Sequence, residues 1–231
     1  MPNVKRIACL ANSRKLNGRC IAGREWNTNR AGGWIRPISH RTGQEISEYE
    51  RQYEDGSDPR VLDIIDIPLI KPQPQSFQTE NWLIDSKCYW KRVGKLSLDD
   101  MHKLTGPKTW LWLNGHSTYN GHNDKIPLQV ANSYQHSLTM VHVEDLKLSV
   151  FKPGETFGNN KRRVQGCFSY DKVRYHLWVT DPLFERRYLA KLDGTYSIGD
   201  CFLAVSLGEP YNGAVYKLIA SIIGKQRGSS Q

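Results

Sequence analysis

The chain has 231 residues, 39% of them hydrophobic and 24% charged, with a formal net charge of +9. That length holds one large domain or two small ones. No apolar run approaches the ~20 residues of a transmembrane helix and the basic N-terminal stretch has no apolar core of a signal peptide, so a membrane partner is not expected and a cytoplasmic location is.

The charge is unevenly placed. Residues 1–40 carry eight basic groups (Lys5, Arg6, Arg14, Lys15, Arg19, Arg24, Arg30 and Arg36) against one acid, Glu25, whereas residues 41–85 carry four basic groups and ten acids. A basic face early in the chain favours polyanions, nucleic acid first among them; a general solubility charge is the plainer reading. The five cysteines, Cys9, Cys20, Cys88, Cys167 and Cys201, are widely spaced with no CxxC pair, which argues against a zinc ribbon or a thioredoxin-like centre. They read as buried thiols.

In chain order, short strand-like runs dominate, punctuated by Gly, Pro, Asn and Asp. Residues 5–11, 18–25 and 32–39 are expected as strands, then 46–53 as a short helix, since Ile46, Tyr49, Glu50 and Tyr53 recur at helical spacing. Strands follow at 60–70 and 80–85. In 86–137, "LSLDDMHKL" (96–104) carries Ser97 and Asp100 as a capping-box variant and predicts a short helix. "TWLWLNG" (109–115) looks like a strand and 116–125 like an exposed loop. A long strand is then expected at 138–151, and a hairpin of 161–171 with 172–181 across Tyr170–Lys172. Asp181-Pro182 supplies an N-cap and a proline at the first helical position, starting a helix over 183–192. Strands at 200–208 and 214–223 finish the pattern, joined at the turn "EPYNG".

The order β-β-β-α-β-β thus occurs twice. "WIRP" at Trp34 pairs with "WVTDP" at Trp178, and Asp63 and Asp200 each stand at the mouth of an apolar strand. That order is the order of an OB-fold, a five-stranded Greek-key barrel that commonly binds oligomers on strands 2 and 3. The expected fold is mainly β: two tandem OB-like five-stranded barrels with short helices and a partly helical connector. The first barrel spans 1–85, the connector 86–137, the second barrel 138–224, and a flexible tail 225–231. The segments "RCIAGRE…GGWIRPIS" and "DCFLAVSLGEPYNGAVYKLIASII" together resemble the bacterial dual OB-domain family over nearly the whole chain. The resemblance implies two tandem OB-like barrels and nucleic-acid binding. It brings no catalytic residues with it.

"KVRYHLWVTD" is the clearest alternating strand. Val173, Tyr175, Leu177 and Val179 share one face, suited to a barrel interior; Arg174, His176, Trp178 and Thr180 share the other. A cation, an imidazole and an indole in line suit single-stranded nucleic acid, because basic groups track phosphates while rings stack bases at ~1–3 kcal/mol each. Arg162 and Arg163 arrive on the neighbouring strand. In the first unit Trp34 and Arg36 share a face, with Arg19, Arg24 and Trp26 on the preceding hairpin. The competing reading makes Trp34 a core residue and packs Trp178 beneath the linker.

No P-loop, GxGxxG, GxSxG or histidine metal spacing occurs. Asp63 and Asp66 fall on opposite strand faces, Asp99 and Asp100 suit a helix N-terminus, and Asp145-Leu146-Lys147 has a chance counterpart in Asp85-Ser86-Lys87. No catalytic role, metal or cofactor is therefore expected. The expected function is binding of nucleic acid, single-stranded, by Arg19, Arg24, Trp26, Trp34, Arg36, Arg162, Arg163, Arg174, His176 and Trp178. The rival is a protein-interaction module in a larger bacterial complex of a defence or mobile-element type, since fold does not fix function.

Overall fold

The computed structural model describes residues 3–27, 30–106 and 110–225. The chain forms two compact units, Met1–Leu104 with Gln135–Ser137, and Thr105–Tyr134 with Leu138–Gln231. The stretch 86–137, expected as a connector, is thus divided between them.

The first unit runs β1 (Asn3–Lys15), β2 (Gly18–Asn27), β3 (Arg30–Ile38), α1 (Glu48–Arg51), β4 (Asp63–Pro72), β5 (Asn81–Ile84) and β6 (Lys91–Lys95). The strands pair in the order β1-β2-β3-β5-β4, and β1 also pairs with β4, so the five close into a ring. The link between β3 and β5 is parallel, and every other link in the ring is antiparallel. Inside sit Ile7, Ile21, Ile35, Ile65, Ile67 and Trp90. A sixth strand, β6, adds to β4 outside the ring.

The second unit repeats this plan. It contains β7 (Lys125–Pro127), α2 (Leu128–Ala131), β8 (Leu138–Phe151), β9 (Arg163–Tyr170), β10 (Val173–Val179), α3 (Pro182–Leu189), β11 (Gly194–Leu207) and β12 (Ala214–Ile223). The ring is β8-β9-β10-β12-β11, with β10–β12 parallel, and β7 lies against β12 as the extra strand. The alternation in β10 holds: Tyr175, Leu177 and Val179 are buried among Leu146, Phe184 and Ile219, while Arg174 is exposed and His176 and Trp178 are partly exposed. The hairpin turn places Asp171 and Lys172 at φ 48° and 63°, the conformation that matches the twist of the paired strands. Asp181 caps α3 by accepting from Leu183 N at 3.0 Å, and it also accepts from Ile222 N at 3.0 Å. One buried carboxylate thus fastens both the helix start and a barrel strand.

Half of the expected capping box forms ahead of a 3-10 helix over Asp99–Leu104: Ser97 Oγ accepts from Asp100 N at 3.2 Å, while the Asp100 carboxylate accepts from Ser97 Oγ at 2.6 Å instead of from its backbone. Other expectations need correction. Residues 110–115 form no strand, and Thr109 lies outside the described residues. Leu111 instead plugs into the second core, and its neighbours' backbone groups meet side chains rather than a ladder: Leu111 N donates to Tyr175 Oη at 3.3 Å, and Leu113 O accepts from Lys217 Nζ at 2.6 Å. The 116–125 loop is only partly exposed, with Asn123 and Asp124 buried. All five cysteines are free thiols, but Cys20, Cys88 and Cys167 are partly exposed rather than buried. Apart from Lys225, the tail 225–231 lies outside the described residues.

Close packing of β2 on β1 demands a glycine at position 23. A methyl group there would approach the Ala8 carbonyl oxygen to 2.2 Å, whereas one at Gly33 would meet nothing within 4 Å. Gly23→Ala is expected to destabilise the protein by ~1–3 kcal/mol, the range for overpacking, and Gly33→Ala to leave it near wild type. Thermal melts of both variants followed by circular dichroism check the contrast; equal midpoints would contradict the packing described.

Candidate functional site

Outward-facing side chains on strands 2 and 3 of each ring occupy the surface that OB barrels use for oligomers. In the first unit the hairpin register sets Arg24 opposite Trp34, and the guanidinium carbon lies 6.0 Å from the indole centroid. Arg24 is already engaged: Nε donates to Gly32 O at 2.5 Å and Nη1 to Leu104 O at 3.3 Å. Burial pulls its pKa below the ordinary arginine value. Trp34 is partly exposed, so the core reading of this indole does not hold. Arg19 is partly exposed on β2, where its backbone pairs with Ile46.

Arg36 and Trp26 depart from expectation. Arg36 is 3% exposed. Its Nη2 lies 3.0 Å from Glu80 Oε1 and donates to Ser137 Oγ at 2.7 Å, and Ser137 Oγ in turn donates to Glu80. A buried guanidinium needs such a partner, and one so engaged does not reach a phosphate in solvent. Trp26 is buried because the β2–β3 register shifts between Arg24 and Trp26, which breaks the simple alternation that placed it outward.

The second unit gathers more. Arg163 lies with its guanidinium carbon 4.0 Å from the Trp178 ring centroid. Phe151, the cross-strand partner of Arg163, lies beside the same indole at 5.8 Å with the rings inclined by 29°. Arg174 and His176 continue along β10. Burial, then repulsion from His122 and Arg174, holds the His176 imidazole below its usual range, which favours the uncharged ring. Arg162 does not join the group. Its guanidinium donates to Asp193 Oδ1 at 2.6 Å and to the carbonyls of Leu189 and Lys191 at 2.9 and 2.5 Å.

The two units align by register rather than by the tryptophans. Gly23 faces Ile35 in the first hairpin and Gly166 faces Leu177 in the second. Hence Trp34 corresponds to His176, and Arg36 to Trp178. The parallel pairings agree, since Arg36 pairs with Asn81 and Trp178 with Leu218. Each indole is thus on the outward face of its own third strand, but the Trp178 position is two residues beyond the equivalent of Trp34.

A lysine lies buried within the last strand of the second barrel. Lys217 is 0% exposed; besides Leu113 O, its Nζ reaches Asn114 Oδ1 at 3.3 Å and lies 5.2 Å from the Tyr175 ring centroid. Burial drives its pKa from 10.5 down to about 7, against a smaller upward pull from Asp124. Asp124 accepts from Thr118 N and Oγ1 at 2.8 and 2.6 Å, and its carbonyl accepts from Lys217 N at 2.8 Å. Asn123 Nδ2 donates to Arg174 O at 2.9 Å, and the backbones of His122 and His176 exchange hydrogen bonds. The segment 111–124 is therefore pinned to the edge of β10. Among the described residues no group of three or more potential metal ligands forms, and no helix is long and apolar enough to cross a membrane.

Two closed rings of five strands, each with a helix between its third and fourth strands, define a pair of OB barrels in one chain. The family model described as a dual OB-containing domain matches residues 5–222, and the chain belongs to that family. No curated protein and no solved structure gives a significant match.

Two outcomes follow. From pH 7 towards 10.5 the unfolded chain keeps a proton on Lys217 that the folded chain has lost, so folding stability rises with pH across that window. Lys217→Met removes this contribution; denaturant titrations from pH 6 to 9 should show wild type gaining on the variant as pH increases, and parallel curves would contradict it. Arg36→Ala strands the buried Glu80 carboxylate and should cost ~3–5 kcal/mol, read in the same titrations.

Proposed function

We propose that the chain binds single-stranded nucleic acid on the outward face of β8, β9 and β10 in the second barrel. The observation that carries this reading is the Arg163–Trp178–Phe151 cluster, a cation and two rings on one face. Exposed Arg174 lies further along the same strand as Trp178. Guanidiniums supply charge for phosphates and rings supply stacking surface for bases. OB barrels bind oligomers on this same surface, and a net charge of +9 favours a polyanion. The Arg24–Trp34 pair of the first barrel is a lesser contributor, because that guanidinium already donates to two carbonyls.

The reading as a protein-interaction module requires an apolar surface around the two indoles. Arg24 lies beside Trp34, and Arg163 lies beside Trp178 together with Phe151; a guanidinium at each indole favours the polyanion.

A fluorescent oligonucleotide should bind at low salt and release as salt rises, linearly in log–log terms. Arg163→Ala should flatten that slope by about one unit, and Trp178→Ala should weaken binding by ~1–3 kcal/mol. Fluorescence anisotropy measures both effects. Affinity that ignores salt and both substitutions would refute the proposal.

A further inference from the structure

Two aromatic rings outside the strands remain unexplained by the sheet-face site. Tyr119 is 82% exposed and Phe157 75% exposed. Their centroids are 6.1 Å apart with the rings at 71°. They come from different loops, and both loops are held by hydrogen bonds rather than by burial of these rings.

The Tyr119 loop is fixed on either side of the ring. Thr118 is tied to Asp124, Gly121 N donates to Thr118 Oγ1 at 3.0 Å, and Asn123 N donates to Ser117 Oγ at 3.0 Å. The Phe157 loop closes on itself: Phe157 N and Asn159 N both donate to Gly154 O at 2.9 Å, and Gly158 takes the left-handed conformation at φ 77°. Asn120 joins the two loops and joins them to the sheet. Its Nδ2 donates to Pro153 O at 3.0 Å, and its carbonyl accepts from Gln165 Nε2 at 2.6 Å. Gln165 is the cross-strand partner of Trp178. The loop bearing Phe157 springs from the Phe151–Arg163 pair. Both exposed rings are thus anchored within one or two connections of the sheet-face cluster.

We infer that Tyr119 and Phe157 form a second stacking station that receives unpaired bases of the strand held on the sheet face. The inference rests on the nucleic-acid reading given above. Fixed loops hold the rings in place before any ligand arrives, so little ordering remains to oppose binding. Charge favours an anionic ligand: from 152 to 163 Lys152 is paired with Glu155 at 3.0 Å and Arg162 with Asp193 at 2.6 Å, and the surplus positive charge of the segment is that of Lys161 and Arg163. A base stacked inside a duplex has no face to offer a third ring, so the station discriminates for single strands.

The test compares wild type, Tyr119→Ala/Phe157→Ala and Trp178→Ala by fluorescence anisotropy. The probes are a labelled polypyrimidine single strand and a blunt duplex. Both loop rings are exposed, so the double variant should keep the wild-type thermal midpoint. Its affinity for the single strand should fall roughly 5- to 150-fold for each ring that stacks, with duplex affinity unchanged. A base analogue whose fluorescence is quenched by stacking should be quenched by wild type and less by the double variant. Undiminished single-strand affinity in the double variant, while Trp178→Ala loses it, overturns the second station and leaves the sheet-face reading standing. Equal losses for single strand and duplex also overturn it. Failure of wild type to bind either probe overturns the sheet-face reading itself.

Discussion

Each barrel closes through a short parallel contact between its third and fifth strands, and the rest of the architecture depends on that seam. In the first unit it comprises Arg36–Asn81, Pro37–Trp82 and Ile38–Leu83; in the second, Trp178–Leu218 and Val179–Ile219. Parallel pairing is slightly weaker per residue than antiparallel, and so few pairs leave the seam in need of reinforcement. Both units place a buried ionisable side chain immediately before the fifth strand's first residue in the seam: Glu80 in one, Lys217 in the other. Glu80 meets Arg36 and ties in Ser137. Lys217 meets no carboxylate within ion-pairing distance among the described residues; it donates to Leu113 O and Asn114 Oδ1 and draws the 111–124 segment onto the barrel.

That difference at one barrel position separates the two outward faces. In the first unit the third-strand cation is drawn into the seam, and Arg24 is fastened by the carbonyl that ends the 3-10 helix. In the second unit the position equivalent to Arg36 holds Trp178, whose indole stays partly exposed with Arg163 over it. The segment anchored by Lys217 then delivers Tyr119 beside the first loop of that barrel. The same fold thus leaves one face largely committed to its own packing and equips the other with rings and charge.

What was legible in the sequence follows from which interactions are local. The β10 alternation, the Asp181-Pro182 helix start, the Ser97 Oγ–Asp100 N bond and the doubled element order are all set by neighbours in the chain, and all appear in the structure. What stayed hidden depends on distant partners. Arg36 has the spacing of an outward residue, but Glu80 and Ser137 capture it. Trp26 follows a register shift that alternation does not reveal. "TWLWLNG" alternates like a strand, yet Tyr175 and Lys217 take the backbone groups a neighbouring strand would have paired. The extra strand β6, "KRVGK", has one apolar side chain and is held by backbone pairing to β4. Tyr119 and Phe157 were visible as rings in Asn- and Gly-rich loops, but only the fold brings those loops together.

The stacking of Arg163 on Trp178 bears on how a strand would be taken up under the proposed reading. The guanidinium covers one ring face at 4.0 Å, so a base bound for that face must displace it. A cation–π contact is worth ~0.5–2 kcal/mol and a base stacked on an aromatic ring ~1–3 kcal/mol, so under that reading a base competes with the guanidinium for the ring face. The displaced guanidinium keeps its charge and its forked donors, which suit the phosphate that arrives with the base. Under that reading Arg163 would act at both stages, covering the ring before binding and following the backbone after it, and a lysine would replace it poorly because an ammonium lacks the flat face that stacks.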